Sequence, residues 1–342
     1  MTARWEAPNA RARGLATHLL SDETMSVVAA APDLAAMISL LEGAGIVIPE
    51  GDRLTPLAIE LGIRRAAAGE LRRLARWFGE GSAGPALVFG DEDRRSVRAM
   101  LRGAAAGASA ETRLAGLIPT PQLPERALAE LAAQPRVSDV AALLVTWNHP
   151  LGSALLSAAG APDTEPEVLR LELEVDRWFA KRADAAARQG GRTFRRYVEQ
   201  SIDLDNARSA LLLAASDAEL PADDFFLSGG RHVSRSAFQD AARSGSTLAA
   251  ARHLARPLAP LGVGGTLAQH AGDLARLDEA LLRARISALR LEARRDPLGA
   301  APVLGYVLGL RAQVVALRRC LWGIELGMPP ATRAAALKEL EP

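Results

Sequence analysis

The 342 residues are 49% hydrophobic but only 4% aromatic, an Ala- and Leu-weighted balance that favours helix, and period-2 runs of Val, Ile and Thr are missing. Lys and Arg number 41 against 40 Asp and Glu, a formal charge of +1, which excludes a net field drawing the chain to nucleic acid or anionic lipid. The single cysteine, Cys320, excludes an internal disulfide framework and fits a reducing cytoplasm.

The length suits two or three small domains or one extended helical assembly, and the composition reads as all-α. The N-terminus carries Arg4, Glu6, Arg11 and Arg13 with no apolar core between them, unlike a signal peptide. Its first helix is expected over Asn9–Leu20. Ser21 to Gly45 predicts two short helices broken at Ala31-Pro32-Asp33, where proline removes a donor and biases its neighbour out of helix. A longer helix follows from about Thr55, a cap with Pro56 at the first position, and ends at Arg76-Trp77-Phe78-Gly79.

A second copy of this order is expected from Asp91-Glu92-Asp93-Arg94-Arg95, through Val97, Met100 and Leu101 to Gly103. Pro119, Pro121 and Pro124 form a stiff connector, and Ala132-Ala133-Gln134-Pro135 breaks a helix pair. From Val140 to Pro162 there is no Asp, Glu, Lys or Arg, about the length of a membrane span. Asn148-His149-Pro150 interrupts that run, so two short buried helices with a turn fit better. A long charged helix from about Glu165 then carries Arg177-Trp178-Phe179, matching Arg76-Trp77-Phe78 about 100 residues earlier.

The third copy centres on Ser201–Ala215, read as a helix with Tyr197, Leu204 and Leu211 on one face and Asp203 and Asn206 one turn apart on another. Ser228-Gly229-Gly230 closes a loop holding Phe225 and Phe226, a helix pair breaks at Ser244-Gly245, and a long helix runs from about Leu274 to Arg295. Asp296-Pro297-Leu298-Gly299 ends it. A tail helix follows with an apolar stripe at Val303, Tyr306, Leu310, Val314, Leu317 and Leu321, and with Arg311 and Arg318 on another face. Gly327 and Pro329-Pro330 stop it before a last short helix. Three copies of "helix, broken helix pair, long helix" imply modules over 1–80, 81–190 and 191–299, with 300–342 closing the assembly. Without a Gly/Ser-rich linker, one continuous body is expected.

Catalytic chemistry is sparse. His18, His149, His232, His253 and His270 form no metal-ligand spacing, so neither metal nor cofactor is expected. Ser228-Gly229-Gly230-Arg231-His232 lacks the strand-to-helix context of a nucleophile loop. Gly262-Val263-Gly264-Gly265 lacks the Lys-Ser/Thr of a phosphate loop. Cys320 reads as a buried thiol. Asp223-Asp224-Phe225-Phe226 is similar to the acidic box of helical diphosphate synthases, but the third acid is absent and aromatic residues are few. A capped, exposed turn is the plainer reading. A helical repeat scaffold for a protein partner is the other alternative.

Three stretches resemble a family: the C subunit of V/A-type rotary ATPases, known in eukaryotes as the d subunit. They are Pro8-Asn9-Ala10-Arg11-Ala12-Arg13, then Ile202-Asp203-Leu204-Asp205-Asn206-Ala207-Arg208 with the loop Leu220-Pro221 to Arg231, and Asp296-Pro297-Leu298-Gly299 through Tyr306 to Leu317-Arg318. Gln313 stands where the family usually has an acidic residue. The resemblance implies an all-α funnel of three similar modules in pseudo-threefold arrangement. It implies a non-catalytic rotor adaptor, cytoplasmic and peripheral to the membrane, between the proteolipid ring and the D and F subunits of the central stalk. Asp203, Asn206, Arg208, Arg311 and Arg318 are then candidates for partner interface or inter-module contacts, with no membrane span and no nucleic acid.

Overall fold

The computed structural model describes residues 5–49, 54–78, 83–158, 168–188, 190–216 and 221–338. Among them every regular element is a helix. The first, α1 (Glu6–Leu15), carries Pro8 in its opening turn, where the missing N–H has no intrahelical acceptor. It therefore starts ahead of Asn9, and it stops short of Leu20 because a 3-10 turn over Ala16–His18 leads into extended backbone at Leu19. Next come α2 (Asp22–Ala30) and α3 (Leu34–Gly43), on either side of Pro32. Ser21 Oγ accepts from Thr24 N at 3.1 Å and Asp33 Oδ1 from Ala36 N at 2.8 Å, the caps that let two short helices begin. The fourth helix, α4 (Pro56–Ala75), has the expected Thr55 cap, whose hydroxyl accepts from Ala58 N at 3.3 Å.

The second run is α5 (Ala83–Ala105), α6 (Ala110–Leu114), α7 (Glu125–Ala132), α8 (Val137–Thr146), α9 (Gly152–Ala158) and α10 (Val168–Ala187). Here α5 begins at Ala83 rather than Asp91. The run Asp91-Glu92-Asp93 reads as a first-turn acidic signal, yet all three lie mid-helix and at most 6% exposed, because their charges meet partners inside the fold. The expected helix start near Glu165 lies outside the described residues. The uncharged run does form two helices, α8 and α9, with Asn148 at φ +52° in the turn, and no helix among the described residues is long and apolar enough to cross a membrane.

The third run is α11 (Gly191–Ala214), a 3-10 turn at Ala222–Phe225, α12 (Arg235–Ala242), α13 (Thr247–Leu258), α14 (Gly264–His270) and α15 (Leu274–Arg295). The tail forms α16 (Ala301–Glu325) and α17 (Pro330–Lys338), with Gly327 at φ +69° as the left-handed stop.

The chain divides into two compact units, one from the described residues within 179–301 and one from those within 4–178 and 302–341. In the first, Phe194, Leu211, Phe238, Leu254 and Leu267 are buried completely. In the second, the stripe Val303, Tyr306, Leu310, Val314, Leu317 and Leu321 is buried along α16, and Val97, Met100, Leu128, Leu144 and Leu171 fill a core around α5. Arg333 of α17, 3% exposed, donates through Nε to Ala29 O at 2.9 Å and through Nη2 to Ala31 O, satisfying carbonyls at the C-terminal end of α2.

Candidate functional site

Asp203 and Asn206 sit one turn apart on α11 and are each 0% exposed. Both hold the loop that follows the helix. The Asn206 amide accepts from Leu227 N and donates to Leu227 O, each at 2.8 Å, imitating a backbone ladder pair. Asp203 accepts from the successive amides of Arg231, His232 and Val233 at 2.9 to 3.1 Å, a nest of N–H groups around one carboxylate. A Cβ on Gly230 would lie 2.3 Å from Asp203 Oδ1, so the glycine is the space the carboxylate occupies. Gly229 turns the loop at φ +110°. The run Ser228-Gly229-Gly230 is thus explained by close approach to a buried acid.

Arg208 lies 3.3 Å from Asp278 of α15, with the two side chains 25% and 46% exposed. It is one rung of a longer series. Arg285 Nη2 donates to Ser201 Oγ at 2.7 Å, and Glu292 accepts from Thr193 Oγ1 at 3.2 Å and pairs with Arg196 at 3.4 Å. As the α11 number falls from 208 to 193, the α15 number rises from 278 to 292, so the helices run antiparallel. Asp278, Arg285 and Glu292 recur every seven residues, a spacing that keeps one face toward a neighbouring helix. That heptad of polar residues was visible in the sequence but had no apolar pattern to draw attention to it. Arg285 is 6% exposed, its guanidinium is 4.6 Å from the Tyr197 ring centroid, and its Nε has no hydrogen-bond partner.

A charged version of this seam joins α5 and α10. Arg94 donates to Asp91 Oδ1 at 2.8 Å and to Asp176 Oδ1 at 3.1 Å; Arg98 meets Asp176 at 3.1 Å, and Arg102 Nη2 meets Glu172 Oε2 at 2.6 Å. On another side of α5, Thr120 donates its hydroxyl to the buried Asp93 while accepting from Gln122 N at 3.2 Å and Leu123 N at 3.0 Å. Burial pushes the Asp93 carboxyl up to about 7, with the adjacent Glu92 charge adding to the shift and the Thr120 hydrogen bond opposing it.

Arg311 and Arg318 of α16 each meet an acid from an earlier helix. Arg311 Nη1 donates to Glu92 Oε1 at 3.1 Å. Arg318 Nε is 2.8 Å from Glu60 Oε1, an ion pair rather than a directed hydrogen bond. Glu60, 4% exposed, also accepts from Gly116 N at 2.6 Å and Trp322 Nε1 at 3.2 Å. One turn along α4, burial lowers the Arg64 pKa although Glu60 opposes the shift, and its Nε donates to Leu117 O at 2.8 Å. Farther along, Glu70 accepts the Tyr306 hydroxyl at 2.9 Å. Burial, reinforced by the Glu70 charge, pushes the Tyr306 phenol above its ordinary range. Gln313 accepts from Leu20 N at 2.7 Å, a role the acid expected at that place could also fill. Sequence reading named Arg311 and Arg318 but missed Glu60, Arg64 and Glu70, because a charge on a long helix reads as solvated until its partner is known.

Acid–base and metal chemistry find no assembled site among the described residues. Among the described residues no group of three His, Cys, Asp or Glu is poised to hold a metal. Asp223 faces Arg235 at 3.5 Å and accepts from Gln239, so intramolecular donors already occupy it. His149 Nδ1 accepts from Leu151 N at 3.2 Å in the α8–α9 turn. Burial pushes the Cys320 thiol up to about 11, the opposite of nucleophile activation.

The described helices are joined by polar rungs, some of them buried. The sequence matches a family model described as ATP synthase (C/AC39) subunit over residues 8–334. The chain belongs to that family. As a member it is a non-catalytic part of an ATPase complex. It is 26% identical over 247 residues to the C subunit of the A-type ATP synthase of Haloferax volcanii, covering 72% of this chain and 70% of that protein. To the C subunit of the V-type ATP synthase of Thermus thermophilus it is 30% identical over 295 residues, covering 85% and 83%.

Proposed function

We propose that this protein is the central-rotor adaptor of a V/A-type ATPase, a socket that couples the membrane proteolipid ring to the D–F central stalk during ion transport linked to ATP synthesis or hydrolysis. The single observation that carries the reading is the family match, which runs through all three helical runs and the tail. The geometry supports a mechanical part. Antiparallel helices closed by polar rungs resist shear, since each rung must break before the helices slide, and close-packed side chains transmit strain.

In this reading the chain forms a funnel of three modules, 1–80, 81–190 and 191–299, about a pseudo-threefold axis, closed by 300–342. The recurring helix order and the like polar seams of α5–α10 and α11–α15 support that division. The protein works on the cytoplasmic side, peripheral to the membrane. Asp203 and Asn206 serve as internal struts. Arg208, Arg311 and Arg318, with side chains 25%, 22% and 29% exposed, are the candidates to meet partners while holding their acids.

A tagged chain retrieved from detergent-solubilised host membranes at low salt tests this. Recovery of stalk subunits and proteolipid by mass spectrometry is the expected result. An abundant unrelated soluble protein in their place would overturn it and favour a general helical scaffold.

A further inference from the structure

One groove of about 310 Å3 lies within the unit formed by residues 179–301, between α11, α15 and the loop pinned by Asp203. Its floor is apolar, with Tyr197, Leu261 and Leu289, and Leu291 at its edge is 49% exposed. Its charges are unbalanced. Arg196 is committed to Glu292 at 3.4 Å, but the guanidiniums of Arg231 and Arg295 make no ion pair among the described residues, and one carboxylate, Glu199, stands against the two. Behind the floor, Arg285 packs its guanidinium on the Tyr197 ring and bonds to a serine hydroxyl. A guanidinium keeps its charge under burial, so Arg285 adds a third positive charge against a ring that lines the groove. The placing of Arg231 is itself specified: Asp203 grips the backbone amides at 231–233, which fixes where that side chain leaves the loop.

We propose that this groove docks an acidic segment of a partner protein, an apolar side chain seating over Tyr197 and Leu261 while flanking carboxylates reach Arg231 and Arg295. Charge complementarity selects the occupant. A bare oxyanion would leave the apolar floor wet and meet Glu199, whereas an amphipathic segment covers the floor and answers both guanidiniums. The proposal rests on the reading of this chain as one part of a multi-protein assembly, and it assigns a surface to one of its contacts.

Photo-crosslinking in the assembled complex tests it, with p-benzoylphenylalanine replacing Leu291 in the full chain and mass spectrometry reading the attached peptide. The expected product is a peptide from another protein of the complex, with at least two acidic residues in it. Its yield should fall about fivefold or more in Arg231→Glu/Arg295→Glu, an amount in keeping with lost charge contacts at a rim, while the melting temperature stays within a few degrees of wild type. Lysine in place of the acids on the captured peptide should restore it. The proposal is overturned if the complex is recovered and the probe captures nothing, captures lipid, or captures a segment without acids. It is overturned equally if charge reversal leaves the yield unchanged. Should the wild-type chain not co-purify with stalk or ring, the rotor reading fails on that result alone, and the acid content and charge response of whatever peptide is captured still decide the groove.

Discussion

The α5–α10 and α11–α15 seams are built alike and charged differently. Both are antiparallel pairs of long helices held by side chains meeting at intervals of a turn or two. In α5–α10 every arginine faces a carboxylate: Arg94 and Arg98 share Asp176, and Arg102 meets Glu172. In α11–α15 the outer rungs are ion pairs, Arg208 with Asp278 and Arg196 with Glu292, but the middle rung sets a buried arginine against a serine. The first seam closes its own electrostatics, whereas the second leaves positive charge over for the surface beside it. One helix topology can therefore serve as a strut or as the backing of a recognition site, according to whether the middle rung is neutralised.

Removing acids from the closed seam should do the most damage. Asp176→Ala strands Arg94, whose side chain is 3% exposed, and should cost about 3–5 kcal/mol in chemical unfolding; a loss below about 1 kcal/mol would mean that Asp91 alone suffices. Asp203→Ala removes the acceptor of three successive backbone amides, that of Val233 in a buried hydrogen bond, and should cost about 2–4 kcal/mol, with faster hydrogen exchange confined to 221–234. A uniform rise in exchange would show the loop to be part of the global unit instead.

The face of α5 turned away from its seam should respond to pH. Asp93 has a folded pKa of about 7 against an ordinary value of 3.8. A carboxyl shifted upward favours the folded state while it holds its proton, and that contribution is lost as pH rises through 7. Asp93→Asn, which keeps an acceptor for Thr120, should therefore gain on wild type by about 2 kcal/mol between pH 5 and pH 8. A flat difference would place the proton elsewhere. Smallest of all, Arg285→Met removes a buried cation with no acid to strand. Thermal unfolding should change by about 1 kcal/mol or less in either direction; a loss of several kcal/mol would reveal an anion compensating Arg285.

How much of this was legible in the sequence follows the same division. The bounds of α15 and the stripe of α16 were read directly, because apolar periodicity and Gly/Pro punctuation are local signals. The caps Thr55-Pro56 and the breaks at Pro32 and Gly245 were equally plain. The start of α5 was misplaced because Asp91, Glu92 and Asp93 carry the same letters whether they flank a helix end or lie buried within it. Arg285 and Glu60 went unnoticed for a related reason. Their meaning depends on residues 84 and 262 positions away, a distance that no window reports. Asp203 and Asn206 were noticed through repetition and family likeness, but the loop they grip became explicable only once Gly230 was seen to have no room for a Cβ.

Glu60 sets an order on how the chain can be made. Its partners stand at 116, 318 and 322, and the cap on α2 comes from residue 333. A growing polypeptide emerging from the ribosome must keep that acid waiting until residues 318 and 322 have been made. The rungs between α11 and α15 all lie within 179–301, so that stretch is free to fold first. The larger unit is therefore completed only once residue 333 is in place, and a chain cut short of residue 318 would strand Glu60 and the end of α2, near the start of that unit.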